Sequence, residues 1–275
     1  MDESTRDPIV RLVSFGAGLA GIDKSLERLE KQAKQFGEFD EIALHNEQSL
    51  DSGYFDLFGG LVQDFPTGYG LWSWKPYLIE KELANLKDGD VLIYLDAGFE
   101  INKAGRNRFF DYLDELARED VLLFSISNQQ RHWSKKHEFL SKPDQHYFRN
   151  QVIGGIIMLR VSDKARSLIR RWNELSQFEG GNLLKDQLAT EPQIERFVSH
   201  RHDQSLLSRA AFEVSAHTIP DESYFNPWAS GKNYPFWALR NKYSRRSWIL
   251  PAKHLPRVIL EAWKTVSRVA SRASR

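Results

Sequence analysis

Three short stretches hold the residue types from which a chemical site could be built. The first, VLIYLDAGFE at 91 to 100, delivers one carboxylate, Asp96, to the end of an apolar run that stops at a glycine turn. A carboxylate at the carboxyl end of a central strand can accept from a ribose hydroxyl or hold a divalent cation, because Mg²⁺ and Mn²⁺ prefer hard oxygen ligands shared with substrate phosphates. The second, GYGLWSWKP at 68 to 76, offers Trp72 and Trp74 as flat surfaces for a substrate ring, beside glycines that allow close backbone approach. Lys75 sits at a helix start, where the partial positive charge also favours anions. Both tryptophans could equally be core residues, and Lys75 a solvated helix-end charge. The third, SHRHDQSLLS at 199 to 208, crowds His200, Arg201, His202, Asp203 and Gln204 ahead of an apolar helix. One of His202 and Asp203 suffices as a helix cap. The cluster is denser than capping requires and reads as a site wall.

These residues need elements to carry them. IVRLVSFGAG (9 to 18) is apolar, β-branched and closed by glycines, which predicts a first strand. Leu26, Leu29, Ala33 and Phe36 then recur at helical spacing, with Asp23 or Ser25 as the cap and Gly37 as the stop. FDEIALHN predicts a second strand, Leu78, Ile79, Leu83 and Leu86 a helix entered at Pro76, and VLIYL a strand apolar on both faces. Such a strand belongs to a sheet covered by helices on both sides, where ligands gather at the strands' carboxyl ends. A helix around Phe109, Leu113 and Leu116, a strand over 121 to 127, and a polar active-site loop from Asn128 to Asn150 follow. QVIGGIIMLR (151 to 160) reads as one strand with Gly154 and Gly155 in its middle, marking a bulge or close approach to a ligand. Ser162 caps a helix carrying Ala165, Leu168, Ile169, Trp172 and Leu175; short helices are expected over 182 to 189 and 192 to 199, and another over 202 to 212.

Composition narrows the function. Among 275 residues, 38 Lys and Arg oppose 37 Asp and Glu, for a net charge of +1, so no global field favours nucleic acid. The absence of cysteine excludes disulfides and thiolate metal sites. The acidic start MDESTRDPIV makes a poor signal peptide, and no apolar run reaches the roughly 20 residues that span a bilayer, so a cytoplasmic protein is expected. The tail LPRVILEAWKTVSRVASR sets Leu255, Ile259, Trp263 and Val266 on one helical face with Arg257, Lys264, Arg268 and Arg272 around it. It packs on its own domain or docks peripherally on anionic lipid of the inner membrane.

YLDAG, GGIIMLRVSDKAR and HDQSLLS occur in the order of motifs in GT-A-fold glycosyltransferases, and resemble most the retaining group that includes glycogenin and the lipopolysaccharide galactosyltransferases. The wider run from SWKPYLI to HRHDQSLLS resembles bacterial transferases of surface-polysaccharide synthesis still more closely. The resemblance implies one GT-A-like α/β domain over 1 to 245, a mixed sheet flanked by helices; the pattern of the tail adds a basic amphipathic helix over 246 to 275. It implies sugar transfer from a nucleotide-diphosphate donor to a glycan or lipid-linked acceptor. Asp96 matches the first acid of the family's Asp-x-Asp motif, which contacts ribose and a Mn²⁺ or Mg²⁺ ion, while Gly98 replaces the second acid. His217 is then the candidate to complete a metal site. Gly154 and Gly155 match a small-residue strand near the sugars, and Asp203 and Gln204 a pair in which the glutamine faces the anomeric carbon. The family's C-terminal His-x-x-Gly-x-x-Lys segment has no match here, and Arg240, Lys242 and Arg245 in that region are the candidates to replace its diphosphate contacts. A sugar nucleotidyltransferase, needing a basic phosphate loop in SFGAGLAGIDK, and a non-catalytic carbohydrate-binding protein are the alternatives.

Overall fold

The computed structural model describes residues 6–18, 21–137, 140, 145–186 and 193–240. In chain order the elements are β1 (Val10–Phe15), α1 (Ile22–Phe36), β2 (Glu41–His45), α2 (Ser52–Asp64), the single turn α3 (Gly68–Leu71) and α4 (Trp74–Ala84). Then come β3 (Val91–Leu95), β4 (Glu100–Ile101), α5 (Arg106–Glu119), β5 (Val121–Gln129), the short α6 (Gln130–Trp133) and β6 (Asn150–Val152). β7 (Ile156–Arg160), α7 (Asp163–Gln177), α8 (His202–Glu213), β8 (His217–Pro220) and β9 (Phe236–Trp237) complete them. The helix expected over 246 to 275 lies outside the described residues.

The main sheet runs β2-β1-β3-β7-β5-β6, with β8 also paired to β5. β1 is parallel to β2 and β3, whereas β7 is antiparallel to both β3 and β5. The expected fold class, a mixed sheet flanked by helices, is therefore the observed one. Strand residues alternate strictly between two cores. Val13, Leu92, Tyr94, Leu123 and Ile157 pack with α2, α4, α7 and α8. Leu12, Ile93, Leu95, Leu122 and Ile156 pack on the other side with α1 and α5.

Four local expectations are corrected. α1 is preceded by Gly21 in the left-handed region, so neither Asp23, in its first turn, nor the buried Ser25 caps it. Ser162 does cap α7, accepting from the Ala165 backbone. QVIGGIIMLR is two strands, because the chain leaves the ladder at Ile153–Gly155 between β6 and β7. Over 182 to 199 the described residues form only a 3₁₀ turn at Asn182–Leu184, which buries Leu183 and Leu184 and needs no further helix. Within the expected loop, β5 continues to Gln129 and α6 follows.

Candidate active site

Asp96 follows β3 directly and shares the sheet face of Tyr94, toward α4 and α8. Its backbone N–H donates to the Gly155 carbonyl at 2.9 Å, and the Tyr94 hydroxyl donates to its Oδ1 at 2.6 Å. Lys75, in the first turn of α4, crosses to meet it. The Lys75 Nζ lies 3.1 Å from Asp96 Oδ1, 3.1 Å from Asp203 Oδ2, and donates to the Gly154 carbonyl at 3.0 Å. Lys75 is 3% exposed and Asp203 6%. A lysine has three N–H donors, and three acceptors surround this one.

Backbone geometry makes that convergence possible. A Cβ on Gly154 would stand 3.1 Å from Asp203 Oδ2, and one on Gly155 would stand 2.9 Å from the Phe99 ring and 3.1 Å from Asp96 Oδ2. The two glycines therefore let a carboxylate approach the broken strand from each side. Ahead of α4, all five residues from Gly68 to Trp72 have positive φ. Three of them carry side chains, each costing roughly 1–2 kcal/mol in that conformation. Such strain persists where the surrounding structure over-determines it, commonly at sites. It is held here by Trp74, which stacks on Phe15 at 4.1 Å between ring centroids and donates from Nε1 to the Gly68 carbonyl.

The electrostatics follow from burial opposed by charge. Burial pushes the Lys75 pKa down, but the charges and hydrogen bonds of Asp203 and Asp96 outweigh it, so its pKa stands above the usual lysine value. Burial raises the Asp203 pKa, and the Lys75 charge only partly pulls it back. Burial and the Asp96 charge keep the Tyr94 phenol neutral. The cluster thus sets one ammonium between two carboxyl groups.

The structure brings together Lys75, Asp96, Gly154, Gly155 and Asp203, with Gln204 beside them donating to Gln151 at 2.8 Å. His202 is half-buried, its Nδ1–H on the Leu184 carbonyl at 2.8 Å and its ring 5.7 Å from that of Trp72, which is also half-buried. Trp74 is a core residue with no face left for a ligand. Lys75 is spent on protein acceptors and is no open anion contact. His217 does not join Asp96: it pairs with Leu122 in β8, and its Nε2 lies 3.2 Å from Glu115 of α5, in the opposite helical layer. Arg240 is exposed, and Lys242 and Arg245 lie outside the described residues.

A divalent cation at Asp96 does not fit this donor set. Asp96 Oδ1 already receives a hydroxyl and faces an ammonium, residue 98 is glycine, and His217 is elsewhere. Among the described residues no group of three or more His, Cys, Asp or Glu could hold a metal ion. What remains open is the Asp96 carboxylate, whose side chain is 39% exposed. An accessible carboxyl group suits ligands that donate, above all hydroxyls.

Sequence reasoning missed the roles of several polar residues. Tyr94 was hidden in an apolar strand. Gln130 and Gln151 are fully buried amides. His200 is held neutral: burial first, then the Lys135 and His202 charges, lower its pKa to about 3. Its Nε2–H donates to the Leu183 carbonyl while Nδ1 accepts from the Lys135 backbone. Only the position of Gln151, the first residue of an otherwise apolar run, offered a signal.

No protein-family model matches the chain, and no curated protein does. Solved structures do align with it. A glycosyltransferase involved in glycosylation of the major capsid of PBCV-1 matches at 10% identity and TM-score 0.43, over 84% of this chain and 94% of that one. Mouse xyloside xylosyltransferase 1 matches at 10% identity and TM-score 0.43, over 83% and 97%. The galactosyltransferase LgtC with donor and acceptor sugar analogs matches at 9% identity and TM-score 0.43, over 86% and 88%. Backbone likeness of this degree leaves the chemistry of the chain to its own residues.

Proposed function

We propose that this protein is a glycosyltransferase that moves a sugar from a nucleotide-diphosphate donor to a glycan or lipid-linked acceptor. The observation that supports this reading is the convergence of Lys75, Asp96, Asp203 and Gln204 on the Gly154–Gly155 break at the carboxyl end of β3. The motif order that resembles retaining GT-A enzymes points the same way. The difficult step is departure of a nucleoside diphosphate while the sugar becomes oxocarbenium-like, so the site needs acceptors for the sugar and positive charge for the leaving group. Asp96 accepts from ribose or sugar hydroxyls, with Tyr94 and Lys75 fixing its carboxylate. Asp203 backs the sugar and Gln204 faces the reacting carbon, and the resemblance of this pair to the retaining group supports retention of anomeric configuration. The diphosphate falls to Arg201 and Arg240. Arg201 stands two residues before Asp203 with its guanidinium 4.3 Å over Trp133, and partial burial and the Arg240 charge lower its pKa.

No helix among the described residues is long and apolar enough to cross a membrane. Work at the cytoplasmic side of a membrane, with the basic tail on anionic lipid, is part of this proposal. A thermal-shift panel of UDP-, GDP-, CMP- and dTDP-sugars tests the donor. A ligand at 100 times its Kd adds about 2.7 kcal/mol, which is several degrees for a domain of this size. One base class is expected to shift the protein and to be slowly hydrolysed, with or without EDTA. A flat panel removes the reading, and a shift seen only with Mn²⁺ or Mg²⁺ restores the metal.

A further inference from the structure

Gln204 is the end of a chain of three amides. The Gln130 Nε2 donates to the Ser205 backbone carbonyl at 3.1 Å. The Gln151 Nε2 donates to Gln130 Oε1 at 2.7 Å and to the Trp133 backbone carbonyl at 3.2 Å, with Ser205 Oγ also at 3.2 Å. Gln204 Nε2 in turn donates to Gln151 Oε1 at 2.8 Å. Gln130 and Gln151 are fully buried, whereas Gln204 is half-buried.

The direction of this chain is fixed by groups that can only accept. A backbone carbonyl has no hydrogen to give, so Gln130 and Gln151 must each present nitrogen to one. That leaves Gln151 Oε1 as the acceptor facing Gln204. A flipped Gln204 would set one carbonyl oxygen against another at 2.8 Å, with Gln151 fully buried. The anchors are themselves tied: the Gln130 backbone N–H donates to the Arg149 carbonyl at 2.8 Å, and the Ser205 hydroxyl donates to Trp133 O at 2.9 Å while accepting from the Arg201 backbone at 3.1 Å.

We infer that Gln130 and Gln151 are positioning residues that lock the Gln204 amide so that its carbonyl oxygen, and not its nitrogen, is presented to the donor sugar. The group opposite Gln204 is then a hydroxyl that donates or an electron-poor carbon, and never a phosphate or carboxylate oxygen. The inference rests on the proposed transferase reading.

Two nearly isosteric variants separate this role from simple packing. Gln151→Met fills the space but removes the acceptor, so Gln204 is free to turn; losing one orienting hydrogen bond is expected to lower kcat roughly tenfold while donor KM stays within about twofold. Gln151→Glu keeps an acceptor toward Gln204 and is expected to retain most of kcat, although a buried carboxyl makes it the less stable of the two. Turnover and stability therefore rank the variants in opposite orders. Equal kcat in both variants, or kcat that follows stability, overturns the inference. The readout independent of any donor is the ¹⁵N side-chain amide signal of Gln204, expected to be slowly exchanging in the wild type and in Gln151→Glu and fast in Gln151→Met. If no nucleotide-sugar is turned over, the transferase reading fails; if Gln151→Met leaves the Gln204 signal unchanged, the lock fails.

Discussion

Replacing Lys75 by methionine keeps most of the side chain's volume and removes one charge from between two carboxylates. At an effective dielectric near 20, an ammonium at 3.1 Å is attracted to each carboxylate by roughly 5 kcal/mol. The Asp96 contact must be discounted, because its side chain is 39% exposed and water screens it. The Asp203 contact is dry, and breaking a buried pair by removing one partner costs about 3–5 kcal/mol. The variant is thus expected to lose about 3–5 kcal/mol at pH 7, seen as a urea midpoint roughly 1–2 M lower by tryptophan fluorescence. Adding Asp203→Asn removes the orphaned charge and is expected to restore about half of the loss.

Linkage gives the sign with pH. The folded pKa of Lys75 is above the 10.5 of a free lysine, so its contribution is whole below pH 10.5 and fades as pH rises through the folded value. The folded pKa of Asp203 is raised above 3.8, so the cost of its ionisation grows as pH rises from there through the folded value. Without Lys75 that cost is unopposed. Lys75→Met should therefore regain more stability on mild acidification than the wild type does, and should lack the wild type's alkaline decline. A loss below about 1 kcal/mol, or no rescue by Asp203→Asn, would refute the cluster as described.

Other consequences are smaller in scope. Gly155→Ala drives a methyl to 2.9 Å from the Phe99 ring and 3.1 Å from Asp96 Oδ2, so it is expected to cost about 1–3 kcal/mol and to weaken donor binding in thermal-shift titrations. Gln204→Ala should lower turnover far more than nucleotide affinity; unchanged turnover in the folded variant returns the residue to a structural place at the start of α8. His200, with a folded pKa of about 3 against 6.5 free, keeps its contribution above pH 6.5 and loses it as pH falls toward 3, on the order of 4–5 kcal/mol. Urea midpoints at pH 7 and pH 4 should therefore converge in His200→Gln.

What could be read beforehand depended on whether a residue's partner lay nearby in the chain. The strands β1, β3, β5 and β7 and the helices α1, α4, α5, α7 and α8 announce themselves by local period, since each buries a stripe its own residues define. α2 did not, because SGYFDLFGGLVQD carries three glycines and buries only Tyr54, Phe58 and Leu61. Among the candidate site residues, the positions of Asp96, Asp203 and the glycine pair were legible because strand ends, helix starts and mid-strand glycines are local features. Lys75 was legible as a residue and misread in role. Its type and helix-start position suggest an anionic ligand, but the anions it meets belong to β3 and α8 of its own chain. His217 failed for the same reason reversed, since strand order sets its imidazole on α5.

Gln151 shows where a stricter reading would have succeeded. An amide opening an apolar run that breaks at two glycines cannot be left bare inside a protein, because an unpaired buried amide costs about 1–3 kcal/mol. Its partners had to be other polar side chains brought in from elsewhere. Gln130, in a polar run after an apolar strand, and Gln204, ahead of an apolar helix, were the residues able to answer it. The need for mutual satisfaction links three sites that no periodicity connects, and it bears on the residue proposed to face the reacting carbon.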